Sequence, residues 1–284
     1  MLRSLFAGIS GMRANQVTLD VAGNNIANAN TIGYKSSSTI FQDTLSQMLT
    51  GASSANDTRG GRNPIQVGLG VQLAATALNV GQGSAQATGR ATDVMISGDG
   101  MFVTEAEGER LYTRAGAFTF DDTGVLVTPS GARVQGYLVD ATGAATGGLV
   151  DMSLDSANAT PAVPAGVELK SYGIGPDGMI TGVYDDGVTR SLGKLALADF
   201  PNPMGLERVG ETSFRESQSS GDAQFDVPGA GRRGTLMVGS LEMSNVDLAT
   251  EFTNLILAQR GFQASSRVIT TSDSVLEDLV NIKR

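Results

Sequence analysis

The 284-residue sequence has no histidine, no cysteine and no tryptophan. Without His and Cys there is no imidazole or thiolate to serve as nucleophile, proton shuttle or soft metal ligand, and no redox pair. Aromatic residues make up only 5 % of the chain, five Tyr and ten Phe, so stacking platforms for sugars or bases are scarce. Positive charge is short as well: 20 Lys and Arg stand against 29 Asp and Glu, a net charge of −9. Such a chain has no counterion-release term to offer nucleic acid, and no nucleic-acid partner is expected. No apolar run approaches the ~18 residues of a membrane-crossing helix. The start, Met1-Leu2-Arg3-Ser4-Leu5, lacks a basic region followed by an apolar stretch, so no cleaved signal peptide is expected.

Glycine is plentiful, 37 residues, about twice the usual share, and crowds the middle of the chain. The ends read as helices. Leu2, Leu5, Ile9, Met12, Gln16, Leu19, Gly23 and Ile26 step by three and four alternately, a heptad seam with two weak positions. Leu248, Phe252, Leu255, Gln259, Phe262, Ser266, Ile269, Asp273, Leu276 and Val280 form a second seam, with Ser244 or Asn245 as candidate N-cap. Two such seams at opposite ends predict that the helices pair with each other or with copies from other chains.

Between them the pattern is one of short strands and turns. Two apolar runs flank Gly98-Asp99-Gly100 as an expected hairpin, and turn signals recur at Asp121-Asp122-Thr123-Gly124, Pro176-Asp177-Gly178 and Asp185-Asp186-Gly187. The expected organisation is a terminal helical domain of residues 1–35 and 240–284, an extended connector over 36–75 with a flexible Gly-rich stretch at 50–64, and an antiparallel β domain over 76–239. A long loop is expected near 140–166. The fold class is α+β, with a coiled-coil-like terminal domain and a central β domain.

The candidate chemical motifs are weak. Gly173-Ile174-Gly175-Pro176-Asp177-Gly178 fits a dinucleotide fingerprint in letters, yet it leads into a strand where that motif needs a helix. The Asp pairs at 121–122 and 185–186 could serve glycoside hydrolysis only across a cleft, and adjacent residues point apart. Lys35 beside Ser36-Ser37-Ser38 lacks oxyanion donors. No catalytic residue, cofactor or metal site is assigned, and an enzyme is not expected.

The segment Asn24-Asn25-Ile26-Ala27-Asn28-Ala29-Asn30-Thr31-Ile32-Gly33-Tyr34-Lys35 is specific. It resembles the N-terminal signature of the bacterial flagellar axial proteins, the rod, hook and hook-associated group. Ser244-Asn245-Val246-Asp247-Leu248 and Ala258-Gln259-Arg260-Gly261-Phe262 resemble the matching C-terminal signature, and Asn63-Pro64-Ile65-Gln66-Val67-Gly68-Leu69-Gly70 extends the likeness inward. Ala264-Ser265-Ser266 departs from it, where the family often has Asn. Arg3 to Gly11, Phe41-Gln42-Asp43-Thr44-Leu45 and the Lys283-Arg284 end look most like the hook branch, in a short form without a large outer domain; the distal rod branch is the alternative. The resemblance implies a subunit of a helical homopolymer around a channel, with terminal helices inside, the β domain outside, and Leu2, Leu5, Ile9, Met12, Leu19, Ile26, Leu248, Phe252, Leu255, Phe262, Ile269, Leu276 and Val280 between subunits. In the hook such a tube is a flexible universal joint carrying motor torque to the filament. It further implies adjoining rod and hook–filament junction proteins, a hook cap, and export through the flagellar type III apparatus to the basal body or extracellular hook. Seams this weak are expected to be marginal alone and to fold on assembly.

Overall fold

The computed structural model describes residues 2–54, 60–140, 142–164 and 167–282. Two helices bracket a β-rich chain: α1 spans Leu2–Ala27 and α2 spans Leu248–Ile282. The centre of the predicted flexible stretch, residues 55–59, and the Lys283-Arg284 end lie outside the described residues, as does the side chain of Leu2.

The chain divides into two units. The first holds residues 1–27, 36–79 and 246–284; the second holds 28–35 and 80–245. This differs from the expected organisation at both borders. Residues 28–35 and 240–245 leave the helices and join the β-rich unit, while 36–75 belongs with the helices and is not a bare connector. The reason is pairing that local patterns do not announce. Ser37–Asp43 runs antiparallel to Val71–Leu78, and Ser46–Thr50 to Ile65–Gly68, which makes a long two-stranded arm. The arm is tied to α1, where the Ser10 hydroxyl accepts the Val71 amide at 3.3 Å and Thr18 and Thr39 hydroxyls meet at 3.4 Å.

The second unit is antiparallel throughout its main sheet. Along that sheet the neighbours are Leu169–Ile174, Met179–Tyr184, Thr189–Leu195, Arg133–Val139, Met101–Ala106, Glu109–Thr113, Ser213–Arg215 and Glu207–Gly210. Its core gathers Val94, Ile96, Phe102, Phe118, Leu126, Leu195 and Leu197, all fully buried, with Phe102 edge-on to Phe118 at 5.0 Å. Burying side chains of this size supplies about 1.5–3 kcal/mol each.

Two expectations are corrected here. Gly98-Asp99-Gly100 is a corner and not a hairpin: Val94–Ser97 pairs with Thr235–Val238, while Met101–Ala106 pairs with Glu109–Thr113. Gly98 and Gly100 take φ of 113° and 120°, which lets the chain leave one strand pair for another. The expected loop at 140–166 contains the strand Ala145–Asp151 on Arg133–Val139. Its Ala-Thr-Gly-Gly composition has little β propensity, so the pairing comes from its neighbour. The Asp pairs serve turns as expected. The Asp121 carboxylate accepts the Thr123 and Val125 amides at 3.0 and 2.7 Å, and the Asp186 carboxylate receives the Arg190 guanidinium.

Candidate assembly site

In the first unit α1 and α2 lie antiparallel and meet through small side chains. Ser4 and Ser272 hydroxyls are 3.3 Å apart. A Cβ on Gly8 would lie 3.1 Å from Ile269 Cγ1, one on Gly11 would lie 3.0 Å from Ser265 Oγ, and one on Gly261 would lie 2.5 Å from Asn15 Oδ1. At the far end the Asn25 amide donates to Glu251 Oε1 at 2.8 Å. The mutual contact on each helix therefore falls one position before the predicted seam, at Ser4, Gly8, Gly11, Asn15 and Asn25 on α1 and at Glu251, Gly261, Ser265 and Ser272 on α2, and Ala258 on the same stripe of α2 is buried. Glycine and serine let the backbones approach closely, which larger side chains would prevent.

The predicted seam residues flank that contact. Leu5, Met12, Leu19, Ile26, Leu255, Phe262, Ile269 and Leu276 are half-buried, while Ile9, Leu248, Phe252 and Val280 are exposed. Phe6, Ile256 and Leu257 on the helices are exposed too, and so are Ile40, Leu45, Met48, Leu49 and Leu73 on the arm. Against these the larger second unit exposes only Tyr172, Val188, Met204, Val209 and Met237 among the described large apolar residues. Apolar exposure concentrated in one unit is the pattern of an interaction surface.

The signature residues separate into two groups. Asn25, 1 % exposed, mimics a backbone partner for Ser37: its amide donates to the Ser37 carbonyl at 2.8 Å and its oxygen accepts the Ser37 amide at 3.1 Å. Asn28 accepts the Thr31 hydroxyl at 3.1 Å as the helix ends, and Asn24 and Asn30 are exposed. At the start of α2 the N-cap is Asp247 and not Ser244 or Asn245: its carboxylate accepts the Ala249 amide at 3.0 Å and the Thr250 hydroxyl at 2.9 Å. These bonds from Thr250 and Ala249 hold its pKa below the usual carboxylate range. Gln259 and Arg260 are exposed on α2.

Gly33, Tyr34 and Lys35 belong to the second unit, where they build a buried ionic junction. Lys35 Nζ lies 2.6 Å from Glu242 Oε1 and donates to the Gly81 carbonyl at 2.8 Å. Glu242, fully buried, also accepts the Gly83 amide at 2.9 Å and faces Arg114 Nη1 at 3.4 Å. Arg114 Nη2 donates to the Gly98 carbonyl at 2.6 Å. Burial pushes Lys35 below the usual lysine range, opposed by the hydrogen bond and charge of Glu242, and burial likewise lowers Arg114 against the Glu242 charge. Further bonds lock the same place, from Gly33 N to the Glu242 carbonyl at 2.8 Å and from the Asn245 side-chain amide to the Gly81 carbonyl at 2.9 Å. The Arg208 guanidinium lies over the Tyr34 ring at 4.9 Å. A lysine so enclosed has no nucleophilic role beside Ser36. Ser244 is buried.

Three family models match the chain: a flagellar basal body rod protein model over residues 5–35, a flagellar hook protein FlgE/F/G D1 domain over 95–182, and a flagellar basal body rod FlgEFG protein C-terminal model over 237–282. The flagellar basal-body rod protein FlgG of Bacillus subtilis is 43 % identical over 285 positions, with all of both chains covered. The chain belongs to the FlgE/F/G family of flagellar rod and hook proteins. The flagellar hook protein FlgE of Borreliella burgdorferi is also similar, 29 % identical with both chains fully covered, and FlgG of Caulobacter vibrioides is 34 % identical over 97 % of each chain. The alignment to the Borreliella hook protein runs over 441 positions against the 284 residues here, so that relative carries a large insertion.

Family members are structural components of the flagellum, and no described helix of this one is long and apolar enough to cross a membrane. The matches at 5–35 and 237–282 include Lys35 and Glu242 of the junction, and the match at 95–182 includes Arg114. Glu242, the partner of Lys35, and Arg114, the second cation on Glu242, are not visible in the sequence as a site. The usable signal for Glu242 is an acid between Leu241 and Met243, in an apolar run just before the C-terminal signature.

Proposed function

We propose that the protein is a subunit of the flagellar basal-body rod, self-assembling into a rigid tube that transmits rotation. The observation that carries self-assembly is the concentration of exposed large apolar side chains on the helix-and-arm unit. A monomer exposing Phe6, Leu45, Phe252, Leu257 and Val280 leaves a large apolar area in water, and each such residue gains about 1.5–3 kcal/mol when a neighbouring subunit covers it. The seam residues that flank the small-residue contact are the interface this reading assigns to neighbouring copies. Rod takes precedence over hook because the Bacillus rod protein aligns end to end at equal length, while the Borreliella hook protein aligns only with a large insertion. Close packing of α1 on α2 through glycine suits a stiff shaft, since little side-chain material lies between the backbones.

Electron microscopy of the purified full-length protein in a salting-out buffer tests both parts, because such salts strengthen apolar burial. Straight, rigid tubes are the expected result. Curved or coiled tubes return the assignment to the hook. Compact monomers at every concentration refute self-assembly.

A further inference from the structure

The α1–α2 contact has a constant register. Ser4 faces Ser272, Gly11 faces Ser265, Asn15 faces Gly261 and Asn25 faces Glu251. Carried to the start of α1, the register places Leu2 near residue 274. The last turns of α2, Leu276 to Ile282, therefore run about 10 Å past Leu2, the first described residue of α1, at 1.5 Å per residue. Val280 on this overhang is 70 % exposed. Glu277 and Asp278 on it are exposed, as is Asp273 just before it.

In the same unit α1 and the arm enclose a groove of about 390 Å³, lined chiefly by Phe6, Ile9, Val17, Leu69 and Leu73, with Arg13 as the cation in its wall. Phe6 is 65 % exposed, so the groove is an open apolar surface. Arg13, Asp273, Glu277 and Asp278 have no ion-pair partner among the described residues. Up to Ile282 the overhang carries Glu277 and Asp278, opposite in charge to the Arg13 in the groove wall, and both surfaces expose apolar side chains. They cannot meet within one chain: along the helix axis Val280 is roughly 20 Å from the level of Ser10, beside which the groove lies.

We propose that the groove holds the α2 overhang of a second copy of this chain, with Val280 against Phe6 and Leu73 and the Asp273–Glu277 edge beside Arg13. This rests on the self-assembly reading and specifies which two surfaces carry it. The contact is heterologous, joining different patches on the two copies, so each subunit still offers a free groove and a free overhang. Repetition gives an open filament.

Because the chain has no cysteine, engineered thiols report this contact cleanly. Leu73→Cys and Val280→Cys proteins, mixed in equal amounts and oxidised during polymerisation, are expected to give a cross-linked dimer that neither variant gives alone. Independently, Arg13→Glu and Glu277→Arg are each expected to raise the critical concentration about threefold to fivefold, the scale of an exposed pair, and the double variant to return it towards wild type. Both substitutions lie on exposed positions, and circular dichroism checks that each variant keeps its helices. Wild-type polymers with no mixed cross-link, and with single charge reversals assembling as wild type, overturn the docking and leave self-assembly standing. A wild-type chain that never polymerises removes self-assembly, and the docking with it.

Discussion

Replacing Glu242 by Gln isolates what the buried junction contributes. The substitution keeps the shape and removes the charge that faces both Lys35, at 2.6 Å, and Arg114, at 3.4 Å. Two buried cations are then left without their anion. Removing one partner of a buried pair costs about 3–5 kcal/mol, most of it the penalty of the stranded charge. At about 2–4 °C per kcal/mol for a unit of this size, the melting temperature falls by roughly 6–20 °C. All five tyrosines, Tyr34, Tyr112, Tyr137, Tyr172 and Tyr184, lie in the second unit and there is no tryptophan, so tyrosine fluorescence or near-ultraviolet circular dichroism follows that unit alone. Lys35→Met is expected to cost less, because Glu242 keeps Arg114 and the Gly83 amide. The double variant should cost less than the sum of the two, since each single substitution strands the other's charge. A Glu242→Gln protein melting within about 2 °C of wild type would refute the reasoning, and strictly additive single effects would refute the coupling.

Three further outcomes follow from named contacts. Gly33→Ala places a Cβ 2.5 Å from the Ala115 nitrogen at a φ of 69°; a loss of at least about 2 kcal/mol is expected in denaturant titration, from left-handed strain of about 1–2 kcal/mol plus the clash. Gly8→Leu puts a large side chain where even a Cβ sits 3.1 Å from Ile269, so far-ultraviolet helicity and polymer yield should fall while the tyrosine-reported melting stays as wild type. Asp247 titrates below its ordinary value of 3.8, so its cap on α2 is fully present above that pH and is lost as pH falls through the lower folded-state value. The protection factors of the Ala249 and Thr250 amides, that is their exchange relative to the intrinsic rate at each pH, should therefore fall on acidification and, in Asp247→Asn, depend less on pH.

The sequence shows helices, strands and family readily because those signals are local. The Asn25 and Gly33 positions are legible as a motif, and each is explained by named contacts, the Ser37 backbone and Glu251 for Asn25 and the Ala115 backbone for Gly33. The heptad pattern locates both helices, and within the chain their backbones meet one position before each seam. Apolar periodicity identifies what must leave water, and here that surface flanks the small residues on which the two backbones meet. The arm and the strand Ala145–Asp151 are not legible, since their pairing is decided by distant partners and not by their own composition. The rest of the Lys35 junction is hidden for the same reason: its partner Glu242 and the second cation on Glu242, Arg114, are remote from it in sequence, and nothing local marks a charge as destined for burial.

The bond between Asn25 and Glu251 joins residues 226 positions apart, and every other contact between the two helices spans a comparable interval. The first helix to be made is therefore the last to find its partner. A chain delivered from its N-terminus carries α1 past any neighbour with its glycine face bare, and neither the pairing face nor the overhang exists until α2 has followed. On the proposed docking, a chain that lacks α2 offers neither a mate for α1 nor an overhang for a neighbour, so it is expected to stay out of the polymer.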